Sequence, residues 1–510
     1  MPVTTTLVDL ADRRLGGLVL SASDEWFAPK ERLLDPEPPT FDPRAYTTRG
    51  KLMDGWETRR HSPTGDDWAI IRLGAPGVVR RVVVDTTHFT GNAPERVALG
   101  GHHASDRLLD DARAVDWIPL LDWSALRPDH HNTFALDPGP RVTHVRLQIA
   151  PDGGVARLRL PGEVVTDLRV VADRHDGLDL AAAAHGGGIE AASEEFFAPA
   201  ANLLQIGDAR DTGDGWETRR RRDGGHEWVV VRLATTGLVE RVEVDTTHFI
   251  GNHPRACAVD ACDRPAGRHQ QLTIDDARAR GDWREIVSTT PLGPHARHVL
   301  DIAEPSSATH VRLRITPDGG VARLRVRGRI TTAGWRRAGV RWLDTSTAPA
   351  ARAQLRHCCG STQWVEQMLA MRPFATFDRL RAAAEDVWLA LVPDDWREAF
   401  AAHPRIGDRT GPTDTRREQA GTAGADPEVL EALAAGNQRY EQRFGRVFLI
   451  DAAGLSAEQM LAALHDRLDN ADDIELAVAA EQQRRITQRR LDQMMRPDRT
   501  DVAIGDSDHV

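Results

Sequence analysis

From Val145 to Ile149 and again from Ala156 to Leu160, apolar and polar residues take turns: Val145, Leu147 and Ile149 are interleaved with Arg146 and Gln148, and Ala156, Leu158 and Leu160 with Arg157 and Arg159. A period of two sends successive side chains to opposite faces, so these segments predict half-buried strands. WAIIRL and RRVVVDT, with WVVVRL and ERVEVDT further on, add short strands separated by Gly, Pro and Asp. Many short strands without helical periodicity between them predict antiparallel sheets packed as a sandwich or jelly roll. After about Gly328 the period changes. Phe377, Leu380, Ala384, Val387, Trp388 and Leu391 fall at spacings of three and four, as do Met460, Leu461, Leu464 and Leu468, which predicts an all-α bundle of amphipathic helices. The segment from Thr331 to about Ala353 has no clear period and reads as a linker, and the polar residues from about Pro497 read as a disordered tail.

The strand-rich part is a duplication. DGWETRR (Asp54 to Arg60) returns at Asp214 to Arg220, DTTHFTGN (Asp85 to Asn92) as DTTHFIGN (Asp245 to Asn252), PDGGVARLR (Pro151 to Arg159) at Pro317 to Arg325, and SDEWFAP (Ser23 to Pro29) as SEEFFAP (Ser193 to Pro199). The spacing between copies varies from 160 to 170 residues, as loop insertions within a common framework produce. Such a period is far beyond the ~20 to 50 residues of solenoid repeats and marks a doubled domain. Expected boundaries are 1–170 and 171–330 for two all-β sandwiches, 331–355 for the linker, 356–496 for the helical domain and 497–510 for the tail.

Size agrees with several domains, because 510 residues exceed the roughly 250 to 300 that one core supports. A net charge of −11 without a concentrated basic patch argues against nucleic acid as a partner. The start, MPVTTTLVDLADRRLGG, lacks the apolar core of a signal peptide, and no window reaches the ~18 apolar residues of a membrane span, so a cytoplasmic protein is expected. Cys257, Cys262, Cys358 and Cys359 lack zinc-site spacing and are expected as free thiols.

The repeated runs carry the candidate chemistry. If WETRR is a strand, Glu57 and Arg59 share one face, a carboxylate beside a guanidinium; Arg157 and Arg159 likewise share a face, and guanidinium forks suit a small carboxylate. Asp85 and His88 add a carboxylate and an imidazole, the equipment of acid and base catalysis near neutral pH. Trp56 and Phe89 read as packing residues, and Gly91 with Asn92 and Gly153 with Gly154 as turn formers. An Asp followed three residues later by a His does not make a metal site, and none is expected. Core packing accepts apolar swaps of similar volume, so polar letters held in both copies favour a ligand.

On DGWETRR, DTTHF with GN, and PDGGVARLR, each present twice, the chain from about Val19 to Gly328 resembles the allantoicase family. The resemblance implies tandem galactose-binding-like jelly rolls that hydrolyse allantoate to (S)-ureidoglycolate and urea, as a homo-oligomer. Allantoate bears a carboxylate and two ureido groups on one carbon, so an enzyme must anchor an anion and protonate a departing urea nitrogen. The expected anchors are Arg59, Arg157, Arg219 and Arg323, and the expected proton donors Glu57 or His88 with Glu217 or His248.

In the helical third, AFAAHPRIGD (Ala399 to Asp408) predicts a helix carrying Trp396 and Phe400 that ends near His403, because Pro404 biases the preceding residue away from helical geometry. In DTRREQAG (Asp414 to Gly421), Thr415 and Glu418 have capping-box spacing, which would also offer backbone donors to an anion. With NQRYEQRFGRVFLI (Asn437 to Ile450) and RLDNADDIELAVAAEQQRRITQRRL, these runs resemble 2-oxo-4-hydroxy-4-carboxy-5-ureidoimidazoline (OHCU) decarboxylase from about Gln363 to Met495. The resemblance implies cofactor-free formation of (S)-allantoin, with His403 as the catalytic imidazole, Glu418 the acid beside it, Gln419 a binding amide and Arg490 holding a carboxylate. Arg489 competes with Arg490 for that role. The substrate's carboxylate lies beta to a ring imine that accepts the electron pair as carbon dioxide leaves, so orientation and a proton suffice. Both activities belong to urate breakdown, whereas no run typical of the metal-dependent allantoinase lies between them. The competing reading is a lectin-like jelly-roll module fused to an active decarboxylase.

Overall fold

The computed structural model describes residues 7–60, 65–104, 115–172, 177–264, 282–405 and 425–496. Contacts divide the chain into two compact units, Met1–Ala338 and Gly339–Val510.

In the first unit each repeat is a strand sandwich. The larger sheet of the first repeat runs, in spatial order, Val8–Asp9, Pro161–Val164, Asp67–Val79, Val142–Ala150, Arg96–His102 and Ile118–Ala125, with Leu18–Ala22 also paired to Asp67–Val79. A second sheet joins His131–Ala135, Arg81–Asp85 and Arg157–Arg159, all antiparallel. The second repeat keeps the order but fuses the layers: Glu227–Asp245 and Arg297–Thr316 are continuous strands of 19 and 20 residues. Pro138 and Pro140, which lack N–H donors, occupy the break in the first repeat; in the second repeat the equivalent Glu304 and Ser306 lie within the continuous strand, with Ser306 opposite Val239. The alternation read from the sequence is met, since Val145, Leu147 and Ile149 are all fully buried. One apolar cluster draws on both repeats, with Leu15, Trp56 and Val145 from the first and Leu180, Trp216 and Leu313 from the second.

The second unit is helical. Among the described residues its helices are Ala348–Cys358, Thr362–Ala370, Phe377–Ala390, Pro393–Ala401, Pro427–Phe444, Ala457–Leu468 and Asp472–Met494. The apolar stripe Phe377, Leu380, Ala384, Val387, Trp388 and Leu391 is buried, as predicted. The expectation of a linker is corrected. Thr332–Thr345 and Ala348–Cys358 are helices, and Val340, Leu343, Ala351 and Leu355 are buried in the helical core. Gly334, Gly339 and several Thr residues hid the period, and Pro349 stands in a first turn, where the missing N–H costs nothing. The segment expected to be a tail lies outside the described residues. All four cysteines are free and buried. Among the described residues no helix is long and apolar enough to cross a membrane, and no group of three or more His, Cys, Asp or Glu could hold a metal ion.

Candidate active sites

The three repeated motifs interlock at one end of each sandwich. Trp56–Glu57 is a two-residue strand paired to Gly154–Val155, with Gly154 opposite Glu57. The Trp56 indole, fully buried, donates to the Asp24 carbonyl at 2.8 Å and fixes this strand against the SDEWF loop. A side chain at Gly154 would begin 1.9 Å from the Phe89 ring, and the same contact holds between Gly320 and Phe249. Retention of DTTHF and PDGG in both copies therefore has a packing cause as well as a chemical one.

On this frame the Glu57 carboxylate, 8% exposed, accepts a hydrogen bond from the Asn92 amide at 2.7 Å. Burial pushes its pKa above the ordinary value, against the Asn92 hydrogen bond and the charge of Arg60. Arg60 donates to Asp152 at 3.2 Å and to the Gly91 carbonyl at 3.1 Å. The second repeat repeats the core of the arrangement, Asn252 donating to Glu217 at 2.6 Å. There Arg220, the counterpart of Arg60, is exposed and has no hydrogen bond or ion pair among the described residues. It lines a cleft of about 600 Å³ with Glu194, Arg219, Arg221, Arg222, Asp223 and Glu227.

These contacts revise several expectations. Glu57 is not beside Arg59: the strand ends at Glu57, and Arg59 turns to Asp24, its Nε 2.7 Å from Oδ2, and lies over the Trp26 ring at 5.2 Å. Arg219 does the same with Glu194, at 2.9 Å, and with Phe196. The guanidinium near Glu57 is Arg60, which strict alternation assigned to the far face. Asn92 is more than a turn residue, because its side chain holds the carboxylate. Sequence reasoning missed Arg60, Asn92 and Asp152, although each lies in a run retained as Arg220, Asn252 and Asp318.

Arg157 and Arg323 are not an open fork. Arg157 is buried and donates to the Glu37, Asp54 and Ala156 carbonyls and to Asp54 Oδ2 at 3.0 Å. Arg323 bonds the Gly207, Asp208, Asp214 and Ala322 carbonyls and Asp214 Oδ2, which takes up all five of its donors. Burial works against the charge on Asp214, yet the Arg210 N–H and the Arg323 guanidinium hold its pKa below the usual carboxylate range. Truncating one partner of a buried, hydrogen-bonded pair costs about 3 kcal/mol or more, because the other charge stays behind unpaired. Arg323→Met is therefore expected to lower unfolding free energy by about 3 kcal/mol in chemical denaturation; a loss below about 1 kcal/mol would contradict this structural role.

His88 and His248 both adopt left-handed backbone, at φ 70° and 74°. His88 stacks on Phe41 with centroids 5.5 Å apart, and its N–H donates to Asp129. His248 meets His295 and bonds the Ala209 carbonyl at 2.9 Å. Asp85 caps its own turn through the Thr87 N–H and has His131 3.8 Å away.

In the helical unit the helix Pro393–Ala401 ends as predicted, and the His403 N–H donates to the Phe400 carbonyl at 3.0 Å. Arg405 fixes the chain just beyond by a bidentate pair with Glu441, both bonds 2.7 Å. Glu418 and Gln419, with Thr415, lie outside the described residues. Arg489 pairs with Asp451, whereas Arg490 reaches the His357 carbonyl at 3.4 Å. The Cys359 thiol, in the electrostatic reach of both Arg490 and Glu398, is pushed by burial up to about 12 and stays protonated. Arg490 and the helix leading to His403 thus flank the same buried turn.

The family model described as allantoicase repeat matches residues 8–165 and 178–331, and that of OHCU decarboxylase matches residues 344–492. A probable allantoicase 1 of Burkholderia mallei is 41% identical over 327 residues, covering 64% of this chain and 95% of its own length. A probable allantoicase of Streptomyces coelicolor is 41% identical over 352 residues, 66% of this chain and 89% of that protein. The crystal structure of allantoicase from Saccharomyces cerevisiae is 34% identical and covers 64% of this chain and 94% of its own, with a TM-score of 0.53.

Proposed function

The chain belongs to the allantoicase family, with an OHCU decarboxylase domain joined to its two repeats, and from that premise we propose that Glu57 and Glu217 are the acids of allantoate hydrolysis. The observation that carries this reading is the buried carboxylate of Glu57, held by Asn92 within the field of Arg60 and built again from Glu217 and Asn252. A carboxyl whose pKa is raised by burial keeps a proton to nearer neutral pH, as protonation of a departing urea nitrogen requires. Arg60 and Arg220, beside Arg59 and Arg219, are exposed guanidinium groups suited to the substrate carboxylate. The remaining candidates, His88 and His248, have the Phe41 and His295 rings as neighbours.

In the helical unit, His403 provides the proton for decarboxylation and Arg490 the counter-charge to a substrate carboxylate. His403 follows directly on the capped end of Pro393–Ala401 and Arg490 lies within the long helix Asp472–Met494, which limits their freedom without a cofactor's help.

Purified full-length protein given allantoate is expected to release urea and ureidoglycolate in equal amounts, followed colorimetrically. Binding of galactose without urea release would favour the lectin-like module instead.

A further inference from the structure

The two repeats support their Glu-bearing strand differently. In the first, Arg32 donates to the Met53 carbonyl at 3.4 Å and to Asp54 Oδ1 at 3.3 Å, just ahead of Trp56–Glu57. The second repeat has Asn202 in place of Arg32. Its amide, 2% exposed, serves the equivalent carbonyl, Gly213, at 3.2 Å and that of Gly215 at 2.9 Å. An amide carries no charge, and Asp214 Oδ1, equivalent to the oxygen that Arg32 pairs in the first repeat, is buried without a hydrogen-bond donor among the described residues.

The missing guanidinium comes from the other repeat. Arg14 is pinned by Asp12, Nη2 to Oδ2 at 2.7 Å, and its Nη1 donates to Asn202 Oδ1 at 3.0 Å. It also lies in Coulombic attraction to Asp214. Its counterpart in the second repeat is Ala184, whose side chain offers no donor for a return strut from that position. Resting on the reading of Glu217 as a working acid, we propose that Arg14 of the first repeat is a positioning residue of the second repeat's site. It acts through Asn202 and Asp214 on the Gly213–Gly215 loop that carries Trp216 and Glu217.

The test uses full-length chains in which one site at a time is silenced. In a Glu57→Gln chain, where the second repeat alone turns over, adding Arg14→Ala is expected to lower kcat for urea release about fivefold to tenfold with little change in KM, the effect of losing one charge-assisted support. In a Glu217→Gln chain the same change leaves turnover within about twofold. Asn202→Arg, which rebuilds the first repeat's arrangement, is expected to restore kcat in the Arg14→Ala chain, a rescue that mere loosening of the fold would not give. Amide hydrogen exchange of residues 213–217 reads the strut without activity and should speed up in Arg14→Ala alone. Equal kcat losses at both sites, or no kcat loss at the second site with unchanged exchange, would overturn the proposal. If Glu57→Gln already removes all urea release, the assignment of Glu217 fails; faster exchange at 213–217 would then still support the strut, and unchanged exchange would reject it.

Discussion

Changing Glu57 to Gln in a chain whose Glu217 is already Gln lowers the rate of urea release from allantoate by roughly 10²- to 10⁴-fold, the usual contribution of a positioned general acid. The background substitution matters, because an intact second repeat would mask loss of the first. Gln keeps the shape of Glu and can still accept from Asn92 Nδ2, so the frame of Trp56, Gly154 and Phe89 stays packed and only the transferable proton is lost. The loss should therefore fall on kcat more than on KM. The sign of the pH dependence follows from burial. The acid works protonated, and burial raises its pKa, so in the Glu217→Gln chain kcat/KM declines as pH rises through a value above the ordinary carboxylate range. That limb disappears in the double variant. Steady-state urea assays across pH measure both effects, and a double variant with undiminished turnover would remove these carboxyls from the mechanism.

Replacing His403 by Asn is expected to slow enantiospecific formation of allantoin from OHCU by roughly 10²- to 10⁴-fold. Asn preserves a polar group at the end of the Pro393–Ala401 helix, where the backbone N–H is already satisfied by Phe400, so the helix should survive. What is lost is a group that both gives and takes a proton near neutral pH. Spontaneous decay of the substrate continues without the protein and yields no preferred hand, so circular dichroism of the product separates the enzymatic path from the background. Urea release from allantoate should be unchanged in this variant. Undiminished enantiospecific synthesis would reject the assignment of His403.

The amino-acid pattern reveals much of this fold, for definable physical reasons. Alternation exposes the strands because each has one face on a shared core, as at Val145, Leu147 and Ile149. The stripe from Phe377 to Leu391 exposes a helix for the equivalent reason at a different period. Alternation fails where the chain leaves regular structure. Only Trp56 and Glu57 of WETRR are strand, so face counting assigns Arg59 to Glu57, whereas past the strand's end Arg59 pairs with Asp24 and the charge of Arg60 is the one that acts on Glu57. It fails again at Arg157, because position on a strand says nothing about the Glu37 carbonyl or the Asp54 carboxylate that long-range folding brings over it. Asn92 is hidden by its neighbour: next to Gly91 it resembles a turn residue, and only the fold shows where the amide points. The helices at Thr332–Thr345 and Ala348–Cys358 are hidden by glycine, threonine and a first-turn proline, whose poor propensity is overridden by the burial of Val340, Leu343 and Leu355.

The position of bound substrate tests the central claim most directly. In crystals of the slow Glu57→Gln, Glu217→Gln chain soaked with allantoate, the substrate is expected against Arg60 and Arg220, with a ureido nitrogen facing each Gln side chain. Well-defined allantoate elsewhere on the repeats, with both of these positions left to solvent, would contradict the account.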